Sequence, residues 1–161
     1  PARMERAFRA LEKRGLPLAV NQMHYSLLHR NIETDGVLKL AKDLGVTIIA
    51  YTPLASGLLS GKYHKNPELL DKTGYRRAGM KRQLERTRPL IDAMGEMAER
   101  YQATIAQVAL NWVINFNGET VVTIPGATKS HQAADAAGAM KFRLSEADLA
   151  RLDELSRRLG K

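Results

Sequence analysis

Apolar positions along the chain alternate between helical spacing and short runs rich in β-branched residues. Met4, Phe8 and Leu11 recur at helical spacing, and this pattern predicts a first helix over residues 2–13. Apolar runs of strand length predict strands at residues 18–22, 46–51 and 120–124, and helical spacing predicts helices over about residues 34–44, 84–98, 104–114, 131–139 and 145–155. Strands that alternate with helices indicate right-handed βαβ units, and therefore an α/β fold with a parallel sheet.

Two helix starts carry local signals. Thr104 and Gln107 have the spacing of a capping box, in which the hydroxyl accepts from a first-turn amide and the glutamine reaches back. Ser130 is the residue type expected at the N-cap of the following helix. Gly126 and Thr128 come just before that helix, so its free amides are suited to holding a phosphate group. Many loops of this kind bind nothing, and that alternative stays open.

Positive charge is concentrated in a stretch without clear periodicity, at about residues 56–83. The chain has 25 Lys and Arg against 17 Asp and Glu, a net charge of +8. Nine basic and three acidic side chains lie between Lys62 and Arg88, so this segment carries +6 of that charge. A long basic loop favours a phosphate-bearing ligand. Nucleic acid and a merely solvated basic surface are the alternatives, although the segment has only two aromatic residues, Tyr63 and Tyr75.

The composition excludes several classes of protein. The 161 residues, 44% hydrophobic and 26% charged, fit one globular domain. The absence of cysteine excludes disulfides and thiolate sites, and we expect a cytoplasmic location. No apolar run reaches the roughly 18 residues of a membrane span, and the four histidines lack metal-ligand spacing, so we expect no metal. Pro1 in place of Met, and only three predicted strands in a parallel sheet, lead us to expect a piece of a longer protein.

Candidate ligand contacts lie at the predicted strand ends, because parallel α/β folds bind ligands at the carboxyl edge of the sheet. Gln22 offers a donor and an acceptor suited to a carboxamide, and Tyr51 offers a flat ring. The alternative is that Gln22 caps a strand and Tyr51 belongs to the core. The sequence contains no recognisable Ser-His-Asp arrangement, paired-carboxylate cleft or P-loop.

Three segments resemble the second half of an aldo-keto reductase. They are NQMHYSLLHR at residues 21–30, IAYTPLASGLLSGKY at residues 49–63, and IPGATK at residues 124–129 with Gln132. In particular they are similar to the branch that includes the voltage-gated potassium channel β subunits and bacterial general reductases. The resemblance covers residues 1–161 and implies the C-terminal half of a parallel (β/α)8 TIM barrel, from the helix before strand six to the last helix.

The family reduces aldehydes and ketones, so the resemblance implies NADPH as the cofactor and a small carbonyl compound as the substrate. Gln22 would hydrogen-bond the nicotinamide carboxamide, and Tyr51 would stack on the nicotinamide ring. Arg76 or Arg77 would close over the cofactor. The other implied cofactor contacts are Thr52, Pro53, Leu54, Ser56, Gly57 and Lys62 along the pyrophosphate, Gly126 and Thr128 near the adenosine phosphate, and Gln132 and Asp135 at the adenine end.

Two departures from the family pattern limit what this chain is expected to do. Ala136 stands where the family usually has an asparagine that contacts adenine, so one adenine contact is missing. The family's catalytic tyrosine, lysine, aspartate and histidine lie in the first half of the barrel, so no catalytic residue is assigned here. We therefore expect the chain to be inactive alone, and to associate with a missing N-terminal half-barrel or with itself, but not with nucleic acid or a membrane. The alternative function is a non-catalytic NADP(H)-binding regulatory or scaffolding subunit.

Overall fold

A three-stranded parallel sheet forms the centre of the fold. The computed structural model describes residues 1–70 and 77–159, except the side chains of residues 77, 78 and 80. The strands lie in the order β1 (Val20–His24), β2 (Thr47–Tyr51) and β3 (Val121–Thr123). The helices are α1 (Ala2–Glu12), α2 (Val37–Leu44), α3 (Lys62–Lys65), α4 (Arg77–Arg100), α5 (Ile105–Asn115), α6 (Ser130–Gly138) and α7 (Glu146–Leu159). The predicted α/β class with parallel strands is confirmed.

The two faces of the sheet have different environments. Ile48, Ala50 and Val121 are buried on one face, beneath the helices. Side chains alternate between faces along a strand, and the opposite face is open: Val20, Tyr51 and Val122 are 46%, 39% and 45% exposed. One face therefore belongs to the core, and the other is an apolar surface.

Helices α2, α4, α5 and α7 supply most of the core that covers the buried face. The periodic apolar positions predict this, because each helix turns one stripe of its surface inward. Fully buried side chains from these helices are Ala41, Met94, Met97, Val108, Ala109, Trp112 and Leu152. Within the described residues, no helix combines the length and the apolar character that crossing a bilayer requires.

Helix α7 is fixed to the loop after β1 by a partly buried ion network. The Arg30 guanidinium lies 2.7 Å from Glu33 and 2.5 Å from Asp153 of α7. It also lies over the Trp112 ring, 4.7 Å from its centroid. A planar guanidinium satisfies two carboxylates and an aromatic face at once, which a lysine cannot do. The network therefore holds the end of the chain against the core.

Several element boundaries differ from the predicted ones, and two of them reflect identifiable backbone constraints. Strand β1 runs to His24 rather than ending at Gln22, since its pairing with β2 continues until His24 is opposite Tyr51. Helix α2 begins at Val37 rather than near residue 34 because Gly36 has a left-handed backbone, with φ of 86°.

The basic stretch at about residues 56–83, predicted to be a loop, is largely helical in its described parts. Residues 55–60 form short 3-10 turns that are interrupted at Ser56 and Gly57, α3 follows, and α4 begins at Arg77. A separate small core explains this order, because it joins side chains from segments far apart in sequence. Its buried members are Leu58, Tyr63, Leu70 and Leu84.

The capping prediction is confirmed for α5 and wrong for α6. The Thr104 backbone amide donates to the Gln107 side-chain oxygen at 2.9 Å, and the Gln107 backbone amide donates to the Thr104 hydroxyl at 3.2 Å. Helix α6 includes Ser130 in its first turn, with Lys129 at the N-cap. The Gln132 side chain reaches back to the Lys129 amide at 3.2 Å, so a glutamine rather than a serine satisfies this end.

Gln107 also joins α5 to α6. Its side-chain nitrogen, Nε2, donates to the Asp135 carbonyl at 2.8 Å and to the Asp135 carboxylate at 3.1 Å. To reach that carbonyl, the side-chain amide passes close to Gly138. A Cβ added to Gly138 would lie 2.2 Å from Gln107 Nε2. The contact between α5 and α6 therefore requires a residue without a side chain at position 138.

We expect Gly138→Ala to lower the free energy of unfolding by about 1–3 kcal/mol, because the added methyl group displaces the Gln107 amide. The matched control is Gly95→Ala in α4, where the nearest atom to an added Cβ is 4.0 Å away. There the higher helix propensity of alanine should stabilise the protein by up to about 1 kcal/mol. Urea unfolding of both variants measures the difference, and equal stabilisation by the two substitutions would contradict the contact.

Candidate functional site

A cavity of about 890 Å³ opens at the carboxyl edge of the sheet, between the segments that follow β2 and β3 and the start of α6. Nine of the predicted site residues line it, namely Thr52, Pro53, Leu54, Ser56, Gly57, Lys62, Gly126, Gln132 and Asp135. Ala136, where the asparagine of the family pattern is missing, also lines it. The structure thus brings together residues from two separate stretches of sequence, 52–62 and 126–136.

Gln22 and Tyr51 lie outside this cavity, on the open face of the sheet. Gln22 is opposite Ile49, and Tyr51 is two residues further along β2. Residues two apart in a strand point to the same face, so both side chains face the same side near the same edge. Both are exposed, which excludes the alternative that Tyr51 is a core residue.

The backbone after β2 adopts conformations that non-glycine residues rarely take. Thr52, Ala55 and Ser56 have φ of 55°, 48° and 56°, and Gly57 has φ of 87°. Two turns close here, with the Ala55 amide donating to the Thr52 carbonyl at 3.0 Å and the Gly57 amide to the Leu54 carbonyl at 2.9 Å. Strain of this kind is concentrated at functional sites, since elsewhere it only reduces stability. The sequence signals it only through Gly57.

The Lys62 side chain folds over Gly57. A Cβ on Gly57 would lie 2.8 Å from Lys62 Cε and 2.9 Å from Nζ. The ammonium also lies 4.6 Å from the centroid of the Tyr63 ring, within cation–π range. A glycine and an aromatic ring therefore hold a positive charge at the wall of the cavity.

The start of α6 differs from the predicted phosphate site. The Thr128 amide donates to the Gln132 side-chain oxygen at 2.8 Å, and its hydroxyl lies 3.2 Å from the same oxygen. The Lys129 amide shares that acceptor, so two of the amides predicted to be free are satisfied within the chain. A glutamine in the first turn reaches back in this way because it is long enough to act as its own helix cap. Thr128 itself does not line the cavity.

Asp135 is engaged by the neighbouring helix as well as lining the cavity. Its carboxylate lies 3.4 Å from the Thr104 hydroxyl, in addition to its bond from Gln107. Arg76, predicted to close over a ligand, lies outside the described residues, and so does the side chain of Arg77.

Two histidines at this edge were not predicted as site residues. The ring of His24 stacks on that of His29, with centroids 3.8 Å apart, and on that of Tyr51, with centroids 5.0 Å apart. Partial burial, and to a lesser degree the neighbouring His29, lower the pKa of His24. Strand alternation from Gln22 to His24 is the signal that could have found it. Other cavity residues were also missed as site residues, namely Ser60, Thr104, Ala106, Leu110, Ile124, Pro125 and His131. The signal for Ser60, Ile124 and Pro125 is their position in the segments that carry the family resemblance.

Comparison with known proteins identifies the family. The sequence model of the Aldo/keto reductase family matches residues 1–157. The chain belongs to this family. It is 32% identical to aldo-keto reductase str7 of Strobilurus tenacellus, over 87% of this chain and 43% of that protein. It is 31% identical to L-glyceraldehyde 3-phosphate reductase of Escherichia coli K12, over 96% of this chain and 46% of that protein.

Solved structures place this aldo/keto reductase chain in part of a barrel. It superposes on a thermostable aldo-keto reductase, crystallised with the inhibitor epalrestat, with a TM-score of 0.64 at 28% identity. The match covers 91% of this chain and 43% of the other. The predicted fold, three parallel strands with flanking helices from a TIM barrel, is thus confirmed. The chain spans less than half the length of these relatives, and the family supports an oxidoreductase role.

We expect Gly57→Ala to be more destabilising than Gly15→Ala. Both residues have a left-handed backbone, with φ of 87° and 67°, so both substitutions add about 1–2 kcal/mol of backbone strain. An added Cβ meets nothing within 4 Å at Gly15, whereas at Gly57 it displaces the end of the exposed Lys62 side chain. The extra cost at Gly57 is therefore at most about 1 kcal/mol, the worth of the contact between the Lys62 ammonium and the Tyr63 ring. Urea unfolding measures the free energy of unfolding of Gly57→Ala with Lys62 present and with Lys62→Ala. The difference between the two costs isolates the contribution of the lysine side chain. If the excess cost at Gly57 persists without the lysine side chain, Lys62 does not lie where the structure has it.

Proposed function

We propose that this chain is the cofactor-binding part of an NADPH-dependent reductase of aldehydes or ketones. The observation that carries the proposal is the convergence of nine predicted cofactor contacts on one cavity at the carboxyl edge of the sheet. Family membership supports the reaction class. The composition supports a cytoplasmic location for the whole protein.

The chemistry of the site fits a nicotinamide dinucleotide. Such a ligand needs a cation for its phosphates, a flat apolar surface for its nicotinamide ring and amide groups for its carboxamide. Lys62 supplies the charge, the exposed Tyr51 the ring, and Gln22 the amide. A volume of about 890 Å³ is large enough for the adenosine and pyrophosphate portion, and leaves the nicotinamide on the open sheet face.

Each predicted contact then has a place in the proposal. Gln22 binds the carboxamide and Tyr51 stacks on the nicotinamide, which when bound supplies the hydride for carbonyl reduction. The loop after β2 and Lys62 border the pyrophosphate. Gln132 must release the Thr128 amide before an adenosine phosphate can bind there. The residues assigned to the phosphates and adenine are Thr52, Pro53, Leu54, Ser56, Gly57, Lys62, Gly126, Thr128, Gln132 and Asp135.

The proton donor belongs to another part of the barrel in this proposal, so the chain alone is inactive. The open face of the sheet supports this division, because Val20, Tyr51 and Val122 expose apolar surface that burial would stabilise. A complementary N-terminal half-barrel is the partner we propose, and self-association is the alternative.

We expect the chain to bind NADPH, and Tyr51→Ala to weaken binding about tenfold because an aromatic stacking partner is lost. Enhancement of nicotinamide fluorescence measures the affinity, and Tyr51→Phe should retain it. Met140→Ala is a control, since Met140 is 73% exposed and lies outside the cavity. Equal affinity for NADPH and NADH with a steep salt dependence would instead favour non-specific anion binding. Unchanged affinity of Tyr51→Ala would remove the nicotinamide from this position.

A non-catalytic NADP(H)-binding regulatory or scaffolding subunit is the second candidate. The test of this candidate joins the chain to the part of L-glyceraldehyde 3-phosphate reductase of Escherichia coli that precedes the segment matched by this chain. We expect the combined protein to turn over substrate. Loss of NADPH absorbance with L-glyceraldehyde 3-phosphate and pyridoxal measures it. These substrates come from the names of that relative and of the chloroplastic pyridoxal reductase of Arabidopsis thaliana, which is 32% identical. Tight NADPH binding by the combined protein without turnover would favour the second candidate.

A further inference from the structure

Three flat rings form a continuous column at the carboxyl edge of the sheet. The rings of His29 and His24 are 16° from parallel, and those of His24 and Tyr51 are 13° from parallel. Tyr51 is at one end of the column and is 39% exposed. The column thus presents a ring on the open sheet face, while its other end, His29, belongs to the loop after β1.

The backbone holds both histidines in place. His24 is the register partner of Tyr51, so sheet hydrogen bonding fixes the two rings side by side. His29 is brought back by a tight turn, in which the Ser26 amide donates to the His29 carbonyl at 3.1 Å and the His29 amide to the Ser26 carbonyl at 3.0 Å. Ser26 is fully buried, and so are its neighbours in the turn, Tyr25 and Leu27. The imidazoles therefore stack on a rigid base.

We propose that His24, in β1, is a positioning residue: its ring fixes the orientation of the Tyr51 ring on which the nicotinamide stacks. This inference rests on the proposed function, in which Tyr51 receives the nicotinamide. An exposed tyrosine loses rotational freedom when a ligand stacks on it. A tyrosine already held by His24 has lost that freedom before the ligand arrives, so the ligand binds more tightly.

The environment of the His24 ring in the column favours its uncharged form. The titratable groups that face His24 are His29 from the loop and Tyr51 from β2. Burial and the proximity of His29 lower the pKa of His24, so at neutral pH its ring is uncharged.

The test compares His24→Ala with His24→Phe, which keeps a flat ring but cannot titrate. At about pH 7.5 we expect His24→Ala to bind NADPH about five- to tenfold more weakly than wild type, and His24→Phe to bind within about twofold. Affinities come from nicotinamide fluorescence, and far-UV circular dichroism checks that each variant is folded.

Adenosine 2′,5′-bisphosphate serves as a matched ligand, because it has the adenosine phosphates but no nicotinamide. Its affinity should be the same for wild type and His24→Ala. Equal loss of affinity for both ligands would mean that His24 acts only on the general structure, and would overturn the inference. Unchanged NADPH affinity of His24→Ala would overturn the inference and leave the proposed function standing. Failure of the wild-type chain to bind NADPH would overturn both.

Discussion

The parallel register of β1, β2 and β3 is the constraint on which the site depends. It places Gln22 opposite Ile49, His24 opposite Tyr51 and Ile49 opposite Val122. A shift by one residue would exchange the two faces of a strand, so buried side chains such as Ile48 and Ala50 would turn to the open face. The burial of these residues against the helices therefore fixes which side chains reach the candidate site.

The region after β2 combines backbone strain with positive charge. Three consecutive residues, Ala55 to Gly57, have left-handed backbone angles, and Lys62 lies across the last of them. A small separate core containing Tyr63 and Leu84 holds this region on the body of the fold and compensates for its strain. Of the basic side chains that the structure describes between residues 62 and 88, Lys62 lies at the cavity wall.

Helices α5 and α6 form the opposite wall through polar contacts. Gln107 caps α5 and bonds Asp135 of α6, while Gln132 caps α6 and occupies the amides predicted to hold a phosphate. Two glutamines therefore set how the wall is built and how much of it is open to a ligand. The sequence predicted the first role, because a capping box is local. It did not predict the second, because Gln132 can reach back only when Lys129 rather than Ser130 is the N-cap, and the position at which the helix begins depends on its tertiary surroundings.

The sequence by itself determined the elements that depend on near neighbours: the helical stripes of α2, α4 and α5, the capping box at Thr104, and the β-branched run of β2. Its motifs also determined the family, which the comparisons confirm. Tertiary structure decided the contacts between distant segments, such as Arg30 with Asp153 and the imidazole column on Tyr51. The physical reason is the distance along the chain over which each interaction acts. Capping and periodicity act over three or four residues, whereas register and side-chain stacking exist only after packing has brought separate strands together.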